Sequence, residues 1–240
     1  MKVGLFDSGI GGVNVLEELI EKYPHNHYIY YGDTKNLPYG NKSKEELIKL
    51  SLNIIKFLIS KKVDIIIIAC GTISSNCYNE LKDKYQIPIY DIISPTIRYL
   101  KNSLYSNIGV IATTRTIESK IFDIENKNII MKDTPNFVPI IENNLINESE
   151  EIIKNELDVF DDVEALVLGC THYPLLKDKI NKFLNVSLIN MGTCLSNEID
   201  LSSNDTLKVE LYFSKLNDNI KRNTSIILNK EYTLEERILD

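Results

Sequence analysis

Two stretches of the chain share one pattern, an apolar run that stops at a cysteine and gives way to small polar residues. Val63 to Ser75 reads Val-Asp-Ile-Ile-Ile-Ile-Ala-Cys-Gly-Thr-Ile-Ser-Ser, and Glu164 to Pro174 reads Glu-Ala-Leu-Val-Leu-Gly-Cys-Thr-His-Tyr-Pro. Each run is too short to cross a membrane and has the length of a buried parallel strand. Each therefore predicts a strand with a cysteine at its carboxyl end, where a helix begins. Open α/β sheets hold their ligands at that edge. The expectation is that Cys70 and Cys170 face each other across one small substrate.

The remaining pattern alternates strand and helix. Val3 to Phe6 predict a strand, and Val13, Leu16, Leu19 and Ile20 follow at helical spacing. Between them lies Asp7-Ser8-Gly9-Ile10-Gly11-Gly12. It reads either as a tight connection whose glycines supply positive φ or as an anion cradle with Asp7 and Ser8 exposed in a cleft. Asn14 stands where a dinucleotide fingerprint wants its last glycine. Tyr28 to Tyr31 predict a second strand, with Pro38-Tyr39-Gly40 as a cleft wall. Ser43 and Glu46 match a capping box ahead of a helical stripe from Leu47 to Leu58. After Cys70 a helix is expected through Tyr78, Leu81 and Tyr85, with Cys77 buried inside it. Ile87 to Ile93 predict a strand, and Ser94-Pro95 a helix start that crosses into a second domain.

Asn107 to Ala112 predict a strand ending in Thr113-Thr114-Arg115-Thr116, threonines that alone read as caps. A helix and a strand follow from Ile117 to Ile130. Pro135 to Glu142 reads as a proline-broken loop with one surface acid, and Leu145 to Leu157 as an acidic amphipathic helix. The Cys170 strand leads into a helix on Leu175, Leu176, Ile180 and Phe183, and Val186 to Ile189 predict another strand. Cys194 receives no role. The alternation from Leu207 to Phe213 places the tail back on the first domain. The domains are thus 1–93 with 208–240, and 94–207. The fold class is α/β.

At 240 residues the chain can bury a real core, and a net charge of −7 without a long basic run argues against nucleic-acid binding. No transmembrane run is present. Four cysteines without a Cys-x-x-Cys pair suggest free thiols, not a zinc site or redox dithiol. The N-terminus enters a strand at once and lacks a signal peptide's apolar segment, so a cytoplasmic protein is expected.

A thiol is a weak nucleophile until its pKa falls, and a helix start or an imidazolium lowers it. His172 lies two residues from Cys170. One cysteine and one histidine would suit a Cys-His hydrolase, but the duplicated placement fits a reaction run from two faces of one carbon. One thiolate removes a proton there, and the other thiol returns one. Stereoinversion is the natural product of that arrangement.

Phe6 to Gly12, Tyr31-Gly32-Asp33 with Pro38-Tyr39-Gly40, Phe137-Val138-Pro139 with Glu142, and Leu168 to Leu176 together resemble the glutamate racemases of the cofactor-independent aspartate/glutamate racemase superfamily. The resemblance spans nearly the whole chain. It implies two pseudo-symmetric domains, each a mostly parallel sheet flanked by helices, with the active site in the cleft between them. It also implies interconversion of L- and D-glutamate for peptidoglycan without pyridoxal phosphate or metal, often in a homodimer.

By motif position Cys70 would serve the D-side and Cys170 the L-side, with Asp7 assisting Cys70, and His172 and Glu142 assisting Cys170. Ser8, Pro38, Tyr39, Gly40, Thr72, Thr113, Thr116 and Thr171 would bind the substrate, with Gly71 beside them. Gly71 departs from the Cys-Asn-Thr usual at the first thiol and removes an amide. Asn190 replaces a common Asp, and the segment between Thr116 and Pro135 is short. An aspartate or broad-specificity racemase, a non-catalytic amino-acid binder and a thiol-disulfide protein are the alternatives; the last would need Cα atoms within about 7 Å.

Overall fold

The computed structural model describes residues 1–239. Among them ten strands form: β1 (Lys2–Asp7), β2 (His27–Gly32), β3 (Ile65–Ile68), β4 (Ile89–Asp91), β5 (Asn107–Ala112), β6 (Asn128–Asp133), β7 (Ala165–Leu168), β8 (Ser187–Asn190), β9 (Lys208–Phe213) and β10 (Leu234–Glu236). All pair in parallel. One sheet has the order β10-β9-β2-β1-β3-β4 and the other β6-β5-β7-β8. The orders β2-β1-β3-β4 and β6-β5-β7-β8 are one arrangement built twice, and β9 and β10 extend the first copy.

Period-two alternation sorts the side chains between layers. Val3, Leu5, Tyr28, Tyr30, Ile65 and Ile67 point into an inner core together with Ile108, Val110 and Val167 of the second sheet. Phe6, Ile29, Tyr31, Ile66 and Ile68 face the outer helices of the first lobe, and Leu166 and Leu168 those of the second. Both thiols continue the outer series, as Ile66, Ile68, Cys70 and as Leu166, Leu168, Cys170. Helices Ile93–Asn102 and Met191–Glu198 carry the chain from one sheet to the other and back.

Several boundaries differ from the pattern. Helix Ile93–Asn102 is started by Asp91, whose carboxylate accepts from the Ile93 and Ser94 N–H groups, so Ser94 lies inside the helix and does not cap it. Helix Gly71–Leu81 ends before Tyr85, and the acidic helix begins only at Glu150. Pro135 to Glu142 is not a loop: Phe137–Glu142 is helical. Pro139 sits in its first turn, where a missing N–H leaves no bond unmade. The capping box of helix Lys44–Ser60 is present with both of its bonds.

Candidate active site

The carboxyl ends of β1, β3, β5 and β7 meet at the seam between the lobes, around a cavity of about 170 Å³. Ser8, Pro38, Tyr39, Gly40, Cys70, Gly71, Thr72 and Thr113 line it, and Gly169, Cys170, Thr171 and His172 close it from the second lobe. Leu37, Val138 and Pro139 add apolar wall. Among the described residues no lysine or arginine lines this cavity, so the polar contacts it offers are hydroxyls, thiols, an imidazole, the Asn41 amide and backbone groups.

Cys70 caps helix Gly71–Leu81. Its thiol lies 3.7 Å from the Ser8 hydroxyl, which lies 3.3 Å from Asp7 Oδ1. Asp7 therefore reaches the sulfur through Ser8. Asp7 itself is fully buried. Its Oδ1 accepts from the Gly9 N–H at 2.8 Å and its Oδ2 from the Thr171 hydroxyl at 3.0 Å. Burial holds Asp7 above the ordinary carboxylate range, against the pull of His172 and these donors. Burial and the adjacent Asp7 push the Cys70 thiol well up, while the Ile73 N–H and the Ser8 hydroxyl act the other way.

The second thiol has different company. Cys170 Sγ is 3.6 Å from His172 Nδ1, and His172 Nε2 is 2.7 Å from Glu142 Oε1. Burial works to depress the imidazole's pKa, but its bonds to Cys170 and Glu142 override this and raise it well above the usual histidine range. The pair thus favours an imidazolium beside the sulfur, the arrangement that activates a thiolate. Cys70, by contrast, is held as a thiol. Contrary to the duplicated pattern, Cys170 does not head an α-helix; a 3-10 turn, Tyr173–Leu176, follows it. The imidazole takes the part that a helix start plays beside Cys70.

The family model described as Asp/Glu/hydantoin racemase matches residues 8–199. The chain is 36% identical over 98% of its length to the glutamate racemase of a Hydrogenobaculum species, covering 96% of that protein. The chain belongs to the Asp/Glu/hydantoin racemase family. Its fold matches the solved glutamate racemase of Francisella tularensis in complex with D-glutamate, with a TM-score of 0.89, 31% identity and coverage of 100% of this chain and 98% of that one. The Aquifex pyrophilus glutamate racemase gives a TM-score of 0.82 at 34% identity, covering 98% of each chain.

Within this racemase family member most expected site residues converge on the cavity, and some do not. Asp7 and Glu142 stand behind it, touching Ser8 and His172. Thr116 is fully buried and bonds Thr113 at 3.1 Å and Ser75 at 3.3 Å, so it positions Thr113 and is no wall of the cavity. Thr113 in turn lies 2.9 Å from Thr72, a hydroxyl contact across the seam. Of the cradle expected at the glycine turn, Ser8 reaches the cavity while Asp7 is fully buried behind it. Among the described residues no glycine has positive φ, and Gly9, Gly11 and Gly12 are absent from the cavity wall.

Gly11 instead serves close approach: a β-carbon there would overlap His172 and Thr171. Asn14, which breaks the dinucleotide fingerprint, donates to the Gly11 carbonyl at 3.1 Å and to the Thr171 carbonyl at 2.8 Å. A polar residue on the buried face of helix Gly12–Lys22 is the signal that marks it. Cys77 is buried and remote from the cavity, and Cys194 lies in helix Met191–Glu198. All four cysteines are free. Among the described residues no cluster of three or more metal-ligating side chains forms, and no helix is long and apolar enough to cross a membrane.

Proposed function

We propose that the protein interconverts L- and D-glutamate by exchanging the α-proton between two thiols, without a cofactor, and supplies D-glutamate for peptidoglycan. The observation that carries this reading is the pair Cys70 and Cys170, at equivalent ends of two copies of one unit, lining one cavity with different neighbours, the Ser8 hydroxyl beside one and the His172 imidazole beside the other. In the L-to-D direction the Cys170 thiolate takes the α-hydrogen as a proton, and the C–H electron pair passes into the carboxylate. The Cys70 thiol then delivers its proton to the opposite face of the same carbon. Cys170 ends as thiol and Cys70 as thiolate, the state from which the reverse reaction begins.

His172, oriented by Glu142, stabilises the Cys170 thiolate, and Asp7 acts on Cys70 through Ser8. Hydroxyls of Thr72 and Thr113 and the first N–H groups of helix Gly71–Leu81 suit the negative charge that grows on the substrate carboxylate. The chain's similarity to glutamate racemases, one of them solved with D-glutamate, supports glutamate as substrate.

Racemisation in D2O tests the reading. The wild type is expected to place solvent deuterium at the α-carbon of both glutamate enantiomers and to turn over D-aspartate more slowly than D-glutamate. Cys70→Ser and Cys170→Ser should each lose activity in both directions, by about 10²- to 10⁴-fold. Full turnover by either variant rules out the two-thiol assignment, and faster aspartate turnover rules out glutamate as the preferred substrate.

A further inference from the structure

Position 71 follows the first thiol, and position 169 precedes the second. Both are glycine, and both line the cavity. A β-carbon on Gly71 would lie 2.9 Å from the carbonyl oxygen of Gly169, closer than real β-carbons come. The bare Cα thus admits a backbone carbonyl of the opposite lobe into the space a side chain would take. The pseudo-symmetric position, Thr171, keeps its side chain and gives its hydroxyl to Asp7. The seam is therefore open on one side only.

The Gly169 residue is buried and its N–H is spent on the Ile111 carbonyl at 2.8 Å, yet among the described residues its own carbonyl accepts no hydrogen bond. A carbonyl on a cavity wall to which no protein group donates is open to a donor from a ligand. A carbon held between the two sulfurs lies beside both glycines, and the group on an amino acid's α-carbon that needs an acceptor is the ammonium. The side-chain oxygens nearby have partners: Asp7 accepts from Ser8, Gly9 and Thr171, Ser8 accepts from Cys70, and Thr72 pairs with Thr113.

We propose that the Gly169 carbonyl, admitted to the seam because residue 71 has no side chain, accepts a hydrogen bond from the substrate's α-ammonium, which makes the Gly71–Gly169 pair a determinant of specificity for amino acids over plain dicarboxylates. This rests on the reading of the cavity as an amino-acid site. The test is a comparison of L-glutamate with glutarate, which has both carboxylates and no ammonium. Calorimetry gives the affinity of each for wild type, Gly71→Ala and Gly71→Ser.

The added β-carbon pushes the carbonyl out of place. Glutamate should therefore bind about 10- to 100-fold more weakly to both variants, the weight of one hydrogen bond to a charged group. Glutarate should bind all three proteins within about threefold, which also shows that the variants keep a folded cavity. Equal losses for both ligands would mean that the glycine matters only for space, and unchanged glutamate binding would mean that the carbonyl is not a ligand; either result overturns the assignment. Deuterium exchange by the wild type is measured alongside. Its absence counts against the racemase mechanism, while a glutamate-to-glutarate preference lost in the variants upholds the ammonium contact independently.

Discussion

The two thiols differ because of what each touches, and His172 is where that difference can be measured. Its imidazolium is favoured by Cys170 at 3.6 Å and by one carboxylate, Glu142, at 2.7 Å, inside a site that burial would otherwise keep neutral. Glu142→Gln keeps the shape and removes the charge. The imidazole pKa then falls, the imidazolium is lost at lower pH, and the alkaline limb of kcat/KM moves to lower pH. Turnover near neutrality should drop about 10- to 100-fold, the weight of one charge-assisted hydrogen bond of about 1.5–3 kcal/mol. A pH–rate profile checks it: a uniform loss with the limb unmoved would show that Glu142 only supports the fold. The same contact explains why the acid was hard to read from the sequence, since nothing local distinguishes Glu142 from a surface carboxylate.

At the scale of elements, the turn between β1 and helix Gly12–Lys22 must pass under the second lobe, and Gly11 is fixed by that crossing, while Gly12 is held by Asp7 and Tyr30 of its own lobe. Gly11→Ala sets a methyl against His172 and Thr171. The turn or the imidazole has to shift, and overpacking of this kind costs about 1–3 kcal/mol. Denaturant midpoints and kcat should fall together; wild-type values for both would mean that the turn has slack. What was legible follows from this. Alternating Ile, Val and Leu positions declare buried strands, and the doubled apolar-run-to-cysteine pattern declares the repeat, because both are local and periodic.

The purpose of Gly11 was hidden because it depends on atoms of Thr171, some 160 residues away. The helix at Phe137–Glu142 was hidden for the opposite reason. Its proline reads as a breaker by composition but occupies a first-turn position that tolerates it. Thr116 shows the same limit: its residue type suits a ligand, and only packing turns it behind Thr113.

For the whole molecule, the lobes are tied at the seam by polar contacts and at the back by the shared inner core. Asp7 with Thr171, Asn14 with the Thr171 carbonyl, and Thr72 with Thr113 cross the seam, and Arg115 donates to the Lys42 carbonyl at 3.0 Å. These bonds spend buried hydroxyls and ionisable groups, so the fold's stability must carry a pH signature. Cys70, Tyr30, Tyr39 and Tyr173 are all raised by burial first, and Tyr28 is pushed up to about 12.

The folded chain then keeps protons that the unfolded chain releases, and stability falls as pH rises. The loss starts above about pH 4 with Asp7 and adds above about pH 6.5 with His172, both raised in the folded chain, and steepens from about pH 9 to 10 as unfolded thiols and tyrosines ionise. Glu210 sets the acid limb. Burial opposes its charge, but Tyr212, Lys208 and Lys61 lower it to about 2, so its contribution is present above its ordinary range and fades as pH falls toward 2. Melting temperatures across pH 3 to 11 should trace a dome, the unfolding free energy on its alkaline side falling by about 1.4 kcal/mol per pH unit for each retained proton. Tyr30→Phe removes one such proton along with the hydroxyl's bond to the Gly9 carbonyl. That variant should lose about 1 kcal/mol at neutral pH and show a shallower decline above pH 10. An alkaline slope identical to the wild type's would mean that Tyr30 ionises as freely in the folded protein as in water.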